Sequence, residues 1–506
     1  MKPSLVLAPL LGLLVAALSV PACNSFTGAS DLTTEGGGGL PTGGPTLAPA
    51  DGVTITRVEI YQGLQNTLME DGAALSPALP TVIGRRAVFR IFYEATGSVK
   101  NVTARLTLGE DEDPTVIEEV VDLSGLSNES SLASTINLTV QGDQMTASSY
   151  RVDLLQERAE TSGTNQASAW PSDPDELADL PLANPNGPLK VRLVPVQYDA
   201  DGSGRLPDTS GSQLQLYEDY FFNQYPVGSV ELTVDEPFSW NDGIFPGGGG
   251  WGQLLDAITN YRQAAGATSD EYVYGIFMPA DDFGQYCAGG CIAGLANLAG
   301  DGAGGMRAGI GLGFPGDGSV ETAVHEIGHT HGRQHTPCGT FGDNDPNYPT
   351  DPAHEEASIG VWGYDLATDM LLPPDRKDFM SYCEPTWVSD YTYLALLDRI
   401  QAVNMLTADV RGQRGEGASA QPEVTYQQVS FEGDGTSRWH PPITVRGTVR
   451  GQTRQVTVRE GDGERTLDAV FVPYDHLEGG RLLYPSEIPA HELRLRHRAR
   501  TLRLTR

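Results

Sequence analysis

From Val53 to about Gln156, apolar and polar residues alternate in short runs separated by turn residues: Thr54–Tyr61, Arg86–Tyr93, Val102–Leu108, Ile136–Val140 and Tyr150–Leu155. A period of two puts every second side chain on one face, as in a half-buried strand, and the recurrence predicts a β-sandwich. Residues 157–187 are polar and Pro-rich and read as a linker. The pattern then changes. Lys190–Gln197, Ser229–Val234 and Tyr272–Met278 are strand-like, whereas Gln213–Phe222 and Gln253–Gln263 have helical spacing. In the second helix Leu254, Leu255, Ile258 and Tyr261 fall on one side. Strands mixed with helices predict an α+β or α/β core. After a polar stretch at 411–422, alternation returns in Pro442–Val449, Gln455–Val458 and Ala469–Val472. The expected organisation is an N-terminal β-sandwich domain with its linker (53–187), a mixed domain (188–410), a linker (411–422) and a small β-domain (423–506). No internal repeat is present.

The first residues carry a different signal. Lys2 is followed by Ser4–Val20, uncharged and nearly all apolar, and then by Pro21-Ala22-Cys23. This reads as a secretory signal over residues 1–23. A transmembrane anchor fits less well, because the run contains Pro9 and ends in small residues rather than a basic flank. Val20-Pro21-Ala22-Cys23 resembles the lipobox of bacterial lipoproteins. That resemblance implies lipidation at Cys23 and, with Asn24 next, export beyond the inner membrane. Residues 24–52, rich in Gly, Thr, Pro and Ser, read as a flexible linker. No other segment has the apolar length to span a bilayer. The expected location is extracytoplasmic: lipid-anchored at the cell envelope or outer surface, or secreted. Membrane contact is then through the lipid alone.

Composition narrows the partners. Lys plus Arg number 33 against 66 Asp plus Glu, a formal charge of −33, which opposes nucleic acid as a partner. With 39% hydrophobic residues the chain can build real cores. Apart from Cys23 the cysteines are Cys287, Cys291, Cys338 and Cys383. An even number in an oxidising compartment predicts two disulfides, with three pairings open. The triplets at Asn101, Asn128 and Asn137 read as polar surface.

The chemistry lies in Val324-His325-Glu326-Ile327-Gly328-His329-Thr330-His331-Gly332-Arg333-Gln334-His335. His325 and His329, four residues apart, share one helix face and can hold one zinc ion. Glu326 stands beside them, able to take a proton from an activated water. Gly332, just past the helix, can adopt a positive φ and swing the chain out, returning His335 as a third nitrogen ligand. Three protein ligands leave one position open, the mark of a catalytic zinc. His331 turns about 160° away from His329 and reads as surface or outer shell. Asp199–Gly204 begins like a calcium loop, but its twelfth position is Ser210 rather than Glu, so a solvated turn is favoured over calcium.

His325-Glu326-X-X-His329-X-X-Gly332-X-X-His335 resembles the signature of the metzincin zinc metallopeptidases, matching every fixed position. The family's second element is a Met-turn, and Asp378-Phe379-Met380-Ser381-Tyr382-Cys383 fits it. The resemblance implies that Met380 forms an apolar base under the metal and that Tyr382 assists catalysis. It also implies a long helix, supplied by Ser389 to about Leu406 with Ser389 as its cap. Within this frame Cys338 and Cys383 both lie close to the metal, which favours a Cys338–Cys383 bridge and leaves Cys287–Cys291 as a tight local loop. Gly304–Phe314 would be the edge strand above the cleft, with Ser319 capping the helix of His325. The implied fold is a metzincin-like α+β zincin domain flanked by β-sandwich-like domains. The implied activity is zinc-dependent hydrolysis of peptide bonds in extracellular proteins, with one catalytic zinc ion. The rivals are a surface adhesin or glycan-binding protein with a non-catalytic zinc, a zinc hydrolase of another bond, and a pseudoenzyme. Glu326 counts against the first, since a structural site needs no base, the metzincin resemblance against the second, and the intact set of ligands and base against the third. No cysteine or aspartate switch stands out to hold the site latent.

Overall fold

The longest alternating run forms the longest strand. Ala87–Leu108 spans 22 residues and pairs antiparallel with Val53–Tyr61, Thr115–Leu126, Ile136–Val140 and Ser149–Arg158. It organises a ten-stranded sheet, and its pairing with Thr115–Leu126 carries two register shifts. Val58, Ile60, Phe89, Ile91, Leu106, Leu138, Val152 and Leu154 fill its core. Two stretches expected as linker carry strands. Thr46–Pro49 pairs with Ser149–Arg158, as do Ala169–Trp170 and Ala178–Asp179. Their composition reads as loop, but their backbone groups find partners on an exposed sheet edge.

The computed structural model describes residues 46–506 except 111–112, 159–164, 301, 341–343, 411–422, 434, 447–448, 450, 461–462, 489 and 498–499. The expected signal with Cys23, the spacer up to residue 45 and the 411–422 linker lie outside the described residues. Residues 46–506 pack as one unit.

The mixed region is a sheet in the order Val230–Val234, Leu189–Tyr198, Glu271–Phe277, Ala308–Leu312, Gly294–Ala296. The first four strands run parallel and Gly294–Ala296 closes the row antiparallel. Alternation divides its faces. Tyr272, Tyr274 and Ile276 face α1 (Gly211–Gln224), α4 (Asp317–Thr330) and α5 (Asp390–Val410). Val273 and Phe277 face α2 (Trp251–Ala264), near the short α3 (Phe283–Tyr286). Both faces of the sheet are thus covered, as parallel strands require.

Ala308–Leu312, within the expected edge strand, is paired on both sides; the outermost strand on that side is Gly294–Ala296, whose Ala296 N–H donates to Asp475 Oδ1. The helix of His325 starts at Asp317 after Gly316, so Ser319 lies inside its first turn and its hydroxyl donates to the Gly316 carbonyl. Ser389 does cap α5, its Oγ accepting from the Thr392 N–H at 3.1 Å.

The flanking sheets are fused to this core. Arg85, wholly buried, donates to the carbonyls of Gln62, Asn223, Tyr225 and Val227 at 2.9–3.0 Å, capping the C-terminal end of α1 from the N-terminal sheet. Residues 423–506 form a seven-stranded antiparallel sheet. Its Ile443, Val445, Val472 and Leu483 pack on Ala299, Ala303 and Met306. Among the described residues no helix is long and apolar enough to cross a membrane.

Candidate metal centre

α4 presents His325 and His329 one turn apart, and both are buried. Gly332 follows with φ +81°, and a Cβ there would strike Arg399 and the Ala299 carbonyl. The chain therefore leaves the helix at a residue that only glycine can occupy without strain. His335 returns to the site, held where Thr336 N–H donates to Met380 O (3.0 Å) and Tyr382 N–H to Cys338 O (2.9 Å). A Cys338–Cys383 disulfide ties the same two segments, and Cys287–Cys291 forms the other bridge. Met380 is fully buried against Gly328, on the helix that carries His325 and His329. Asp378 shapes this turn, accepting from the N–H groups of Met380 (2.8 Å) and Ser389 (3.0 Å).

The hydrogen bonds set the tautomers. His325 Nδ1 donates to the Phe379 carbonyl and His329 Nδ1 to the Arg333 carbonyl, each at 2.7 Å. A carbonyl can only accept, so both rings carry their proton on Nδ1 and turn an Nε2 lone pair inward. Nε2 of His329 lies 3.1 Å from that of His325 and 3.2 Å from that of His335. Lone pairs that close repel unless a cation lies among them. Three nitrogens at about 2.0–2.1 Å from a tetrahedral ion stand about 3.3 Å apart, so the cluster fits a metal ion. Burial first, and the neighbouring imidazoles after it, hold His325 well below the ordinary imidazole range. Burial likewise takes His335 to about 3. His329 also falls to about 3 through burial, despite an opposing pull from Asp475. Neutral imidazole is the form that binds metal.

Glu326 is 1% exposed and its Oε2 has no hydrogen-bond partner. Burial, and then the nearby Asp475 carboxylate, raise its pKa well above the usual range. A Cβ on Gly294 would lie 2.6 Å from Glu326 Cγ and Cδ, so this edge-strand glycine leaves room for the carboxylate. The Tyr382 hydroxyl stands 3.0 Å from His335 Nε2. A cleft of about 630 Å³ opens beside these groups, lined by His325, Glu326, His335, Tyr382, Glu321 and Glu384 among others.

His325, Glu326, His329, His335 and Tyr382 thus converge, whereas His331 needs a correction. His331 is not at the surface. It is fully buried, stacked on Tyr272 with ring centroids 4.0 Å apart, because the last turn of α4 lies under the central sheet. Two site residues carried no sequence signal. Asp475 and His476 sit in the loop between Gly463–Pro473 and Gly479–Pro485 of the C-terminal sheet. His476 joins His325, His329 and His335 as one group of converging donors, and Glu326, His329, Asp475 and His476 form a second. A lone Asp-His in a hairpin turn, with no fixed spacing to His335, looks like polar surface. The Asp199–Gly204 stretch is a turn in which Asp201 pairs with Arg205.

Residues 251–386, from α2 through the turn around Met380, match the Peptidase M66 family model. The match supports a metallopeptidase, and the matched stretch contains His325, Glu326, His329, His335 and Tyr382 but not Asp475 or His476. No curated protein matches the chain. Similar solved structures include metalloproteinase-II from Bacteroides fragilis, with 13% identity and a TM-score of 0.25 over 62% of this chain and 83% of that one. Another is a Paenibacillus sp. cycloisomaltooligosaccharide glucanotransferase complexed with cycloisomaltoheptaose, with 11% identity and a TM-score of 0.15 over 89% and 72%. At those TM-scores neither likeness carries an argument about fold or function.

Proposed function

We propose that the chain is a zinc-dependent endopeptidase with a metzincin-like α+β catalytic domain, acting on proteins outside the cytoplasm. The observation that carries this reading is a buried carboxylate with an unpaired oxygen, Glu326, beside three inward-facing histidine nitrogens at the wall of an open cleft. The donor set is nitrogen only, from His325, His329 and His335, which suits zinc. The two disulfides suit an oxidising compartment. With the signal-like residues 1–23, they support an exported chain tethered at Cys23.

Zinc held there would polarise the scissile carbonyl and lower the pKa of an attacking water to about 7. Glu326 accepts the water proton as the C–O bond forms and delivers it to the amine as the C–N bond breaks. The Tyr382 hydroxyl donates to the oxygen that gains charge. The strand Gly294–Ala296 borders Glu326 and offers an extended peptide its outer edge, apart from the Ala296 N–H, which Asp475 Oδ1 takes. The Nδ1 hydrogen bonds of His325 and His329 to the Phe379 and Arg333 carbonyls fix those two rings before substrate arrives.

The test is zinc content and casein-type proteolysis of residues 24–506 beside Glu326→Ala. The expected result is about one zinc in both and cleavage only with Glu326. Cleavage that survives Glu326→Ala, or no zinc in either protein, overturns the reading.

A further inference from the structure

The Asp475–His476 loop reaches the metal centre from a sheet outside the matched family segment. His476 brings a fourth imidazole to the cluster. Its Nδ1 is hydrogen-bonded to the Tyr382 hydroxyl, and its Nε2 faces inward, 3.3 Å from Glu326 Oε1. Four imidazoles around one ion place their ring centroids about 5 Å apart, given ~2.0–2.1 Å to each nitrogen. The centroids of His325, His329 and His335 are 4.7–5.4 Å apart. The centroid of His476 lies 5.1 Å from that of His335, 5.8 Å from His325 and 6.0 Å from His329. These values surround the expected spacing, with His476 on the loose side.

A second, independent contact concerns the peptide-binding edge. Asp475 Oδ1 accepts from the Ala296 N–H at 3.1 Å, and Tyr474 forms an antiparallel bridge with Asn297. The loop therefore occupies one end of the only strand edge that borders Glu326 among the described residues. Asp475 is 3% exposed and its Oδ2 lies 3.0 Å from His476 Nε2 and 3.3 Å from His329 Nε2. That sets a buried carboxylate between two ring nitrogens of the converging donor group.

We propose that the C-terminal hairpin is a built-in cap, in which His476 is a fourth protein ligand to the metal and Asp475 holds the loop on the substrate edge. The inference rests on the zinc peptidase reading. A site with four protein ligands is closed, whereas catalysis needs one open position. The capped chain is therefore latent, and turnover requires the loop, but not the whole sheet, to move aside. Gly479 and Gly480, with φ +123° and +151°, join the loop to the following strand.

The experiment is X-ray absorption spectroscopy at the zinc edge on the zinc-loaded chain, beside His476→Ala and His476→Gln. Zinc affinity by chelator competition and cleavage of a quenched peptide are read on the same proteins. The expected result is four imidazoles in the wild type and three in both variants. Zinc affinity drops by more than about 10-fold. Cleavage rises by more than about 10-fold, the factor expected if the capped state outweighs the open one by that ratio. Three imidazoles in the wild type overturn the proposal, whatever the variants do. Cleavage that is unchanged or lower in the variants also overturns it, since the loop would then be an inert or working part of the site. Glu326→Ala added to His476→Ala separates the two levels. If the double variant still cleaves, the peptidase reading fails as well. If it is silent while His476→Ala gives no gain, only the cap fails.

Discussion

Asp256 on α2 is the buried pin of the C-terminal sheet, and its removal has a calculable cost. The carboxylate is 2% exposed and accepts from Arg481 Nη2 (2.5 Å), Ser430 Oγ (2.5 Å) and Arg438 Nε (3.1 Å), with the Tyr474 hydroxyl at 3.4 Å. Burial pushes its pKa up, but Arg481, His440 and Arg438 together hold it well below the usual carboxylate range. Arg481 is wholly buried, so Asp256→Ala leaves a guanidinium in the interior with Gln428 Oε1 (2.9 Å) as its remaining close oxygen partner. Breaking a buried ion pair from one side costs about 3–5 kcal/mol, mostly the penalty of the stranded charge. Arg481→Met added to Asp256→Ala removes that charge, so the double variant is expected to lose less than the sum of the two singles by at least about 1.5 kcal/mol. Guanidinium unfolding followed by tryptophan fluorescence gives the stabilities. Limited proteolysis within 423–506 reports whether the sheet has come loose. A loss below about 1 kcal/mol for Asp256→Ala, or additivity in the double variant, refutes the argument that this ion cluster docks the sheet.

Three further outcomes are expected. Gly294→Ala places a methyl against the Glu326 carboxylate. It should abolish most cleavage while zinc content stays at the wild-type level, and normal turnover would show that the base has room to shift. Replacing Cys338 and Cys383 by Ser releases a link across 45 residues. The loop-closure estimate is up to ~4 kcal/mol, and zinc affinity should fall with it because the bridge joins the His335 segment to the Met380 turn. An unchanged melting temperature would count against that. Burial, and then Glu384 and Asp317, push the Glu321 carboxyl up to about 7 from 4.5, against Arg376. The folded chain then keeps a proton that the unfolded chain has released, so stability falls as pH rises through this window, and Glu321→Gln should flatten that slope between about pH 5 and 7. Equal slopes in both proteins would sink it.

The local chemistry was legible in the chain because it is local. His325, Glu326 and His329 are set by helical spacing, Gly332 by its backbone freedom, and the alternation of Ala87–Leu108 by a strand's period of two. Each depends on neighbours within a few residues. His331 had the same spacing information and its surface alternative still failed, because spacing gives a direction around a helix and not what stands there. A sheet strand stands there, and Tyr272 buries it. The edge strand was misplaced for a related reason: Gly294–Ala296 comes earlier in the chain than Ala308–Leu312 but lies outside it in the sheet.

What the sequence by itself determined is the metal-binding helix, the turn that returns His335, the Met380 turn and the strand-rich character of both flanks. Only the tertiary structure decided that those flanks are not appendages. Arg85 locks the N-terminal sheet onto the end of α1, and Asp256 locks the C-terminal sheet onto α2. The second lock carries Asp475 and His476 to histidines more than a hundred residues away in the chain. Side chains that meet only through the packing of two sheets have no period and no fixed spacing. The free energy that brings them together is spread over cores such as Ile443, Val472 and Met306 rather than held in the residues that end up in contact.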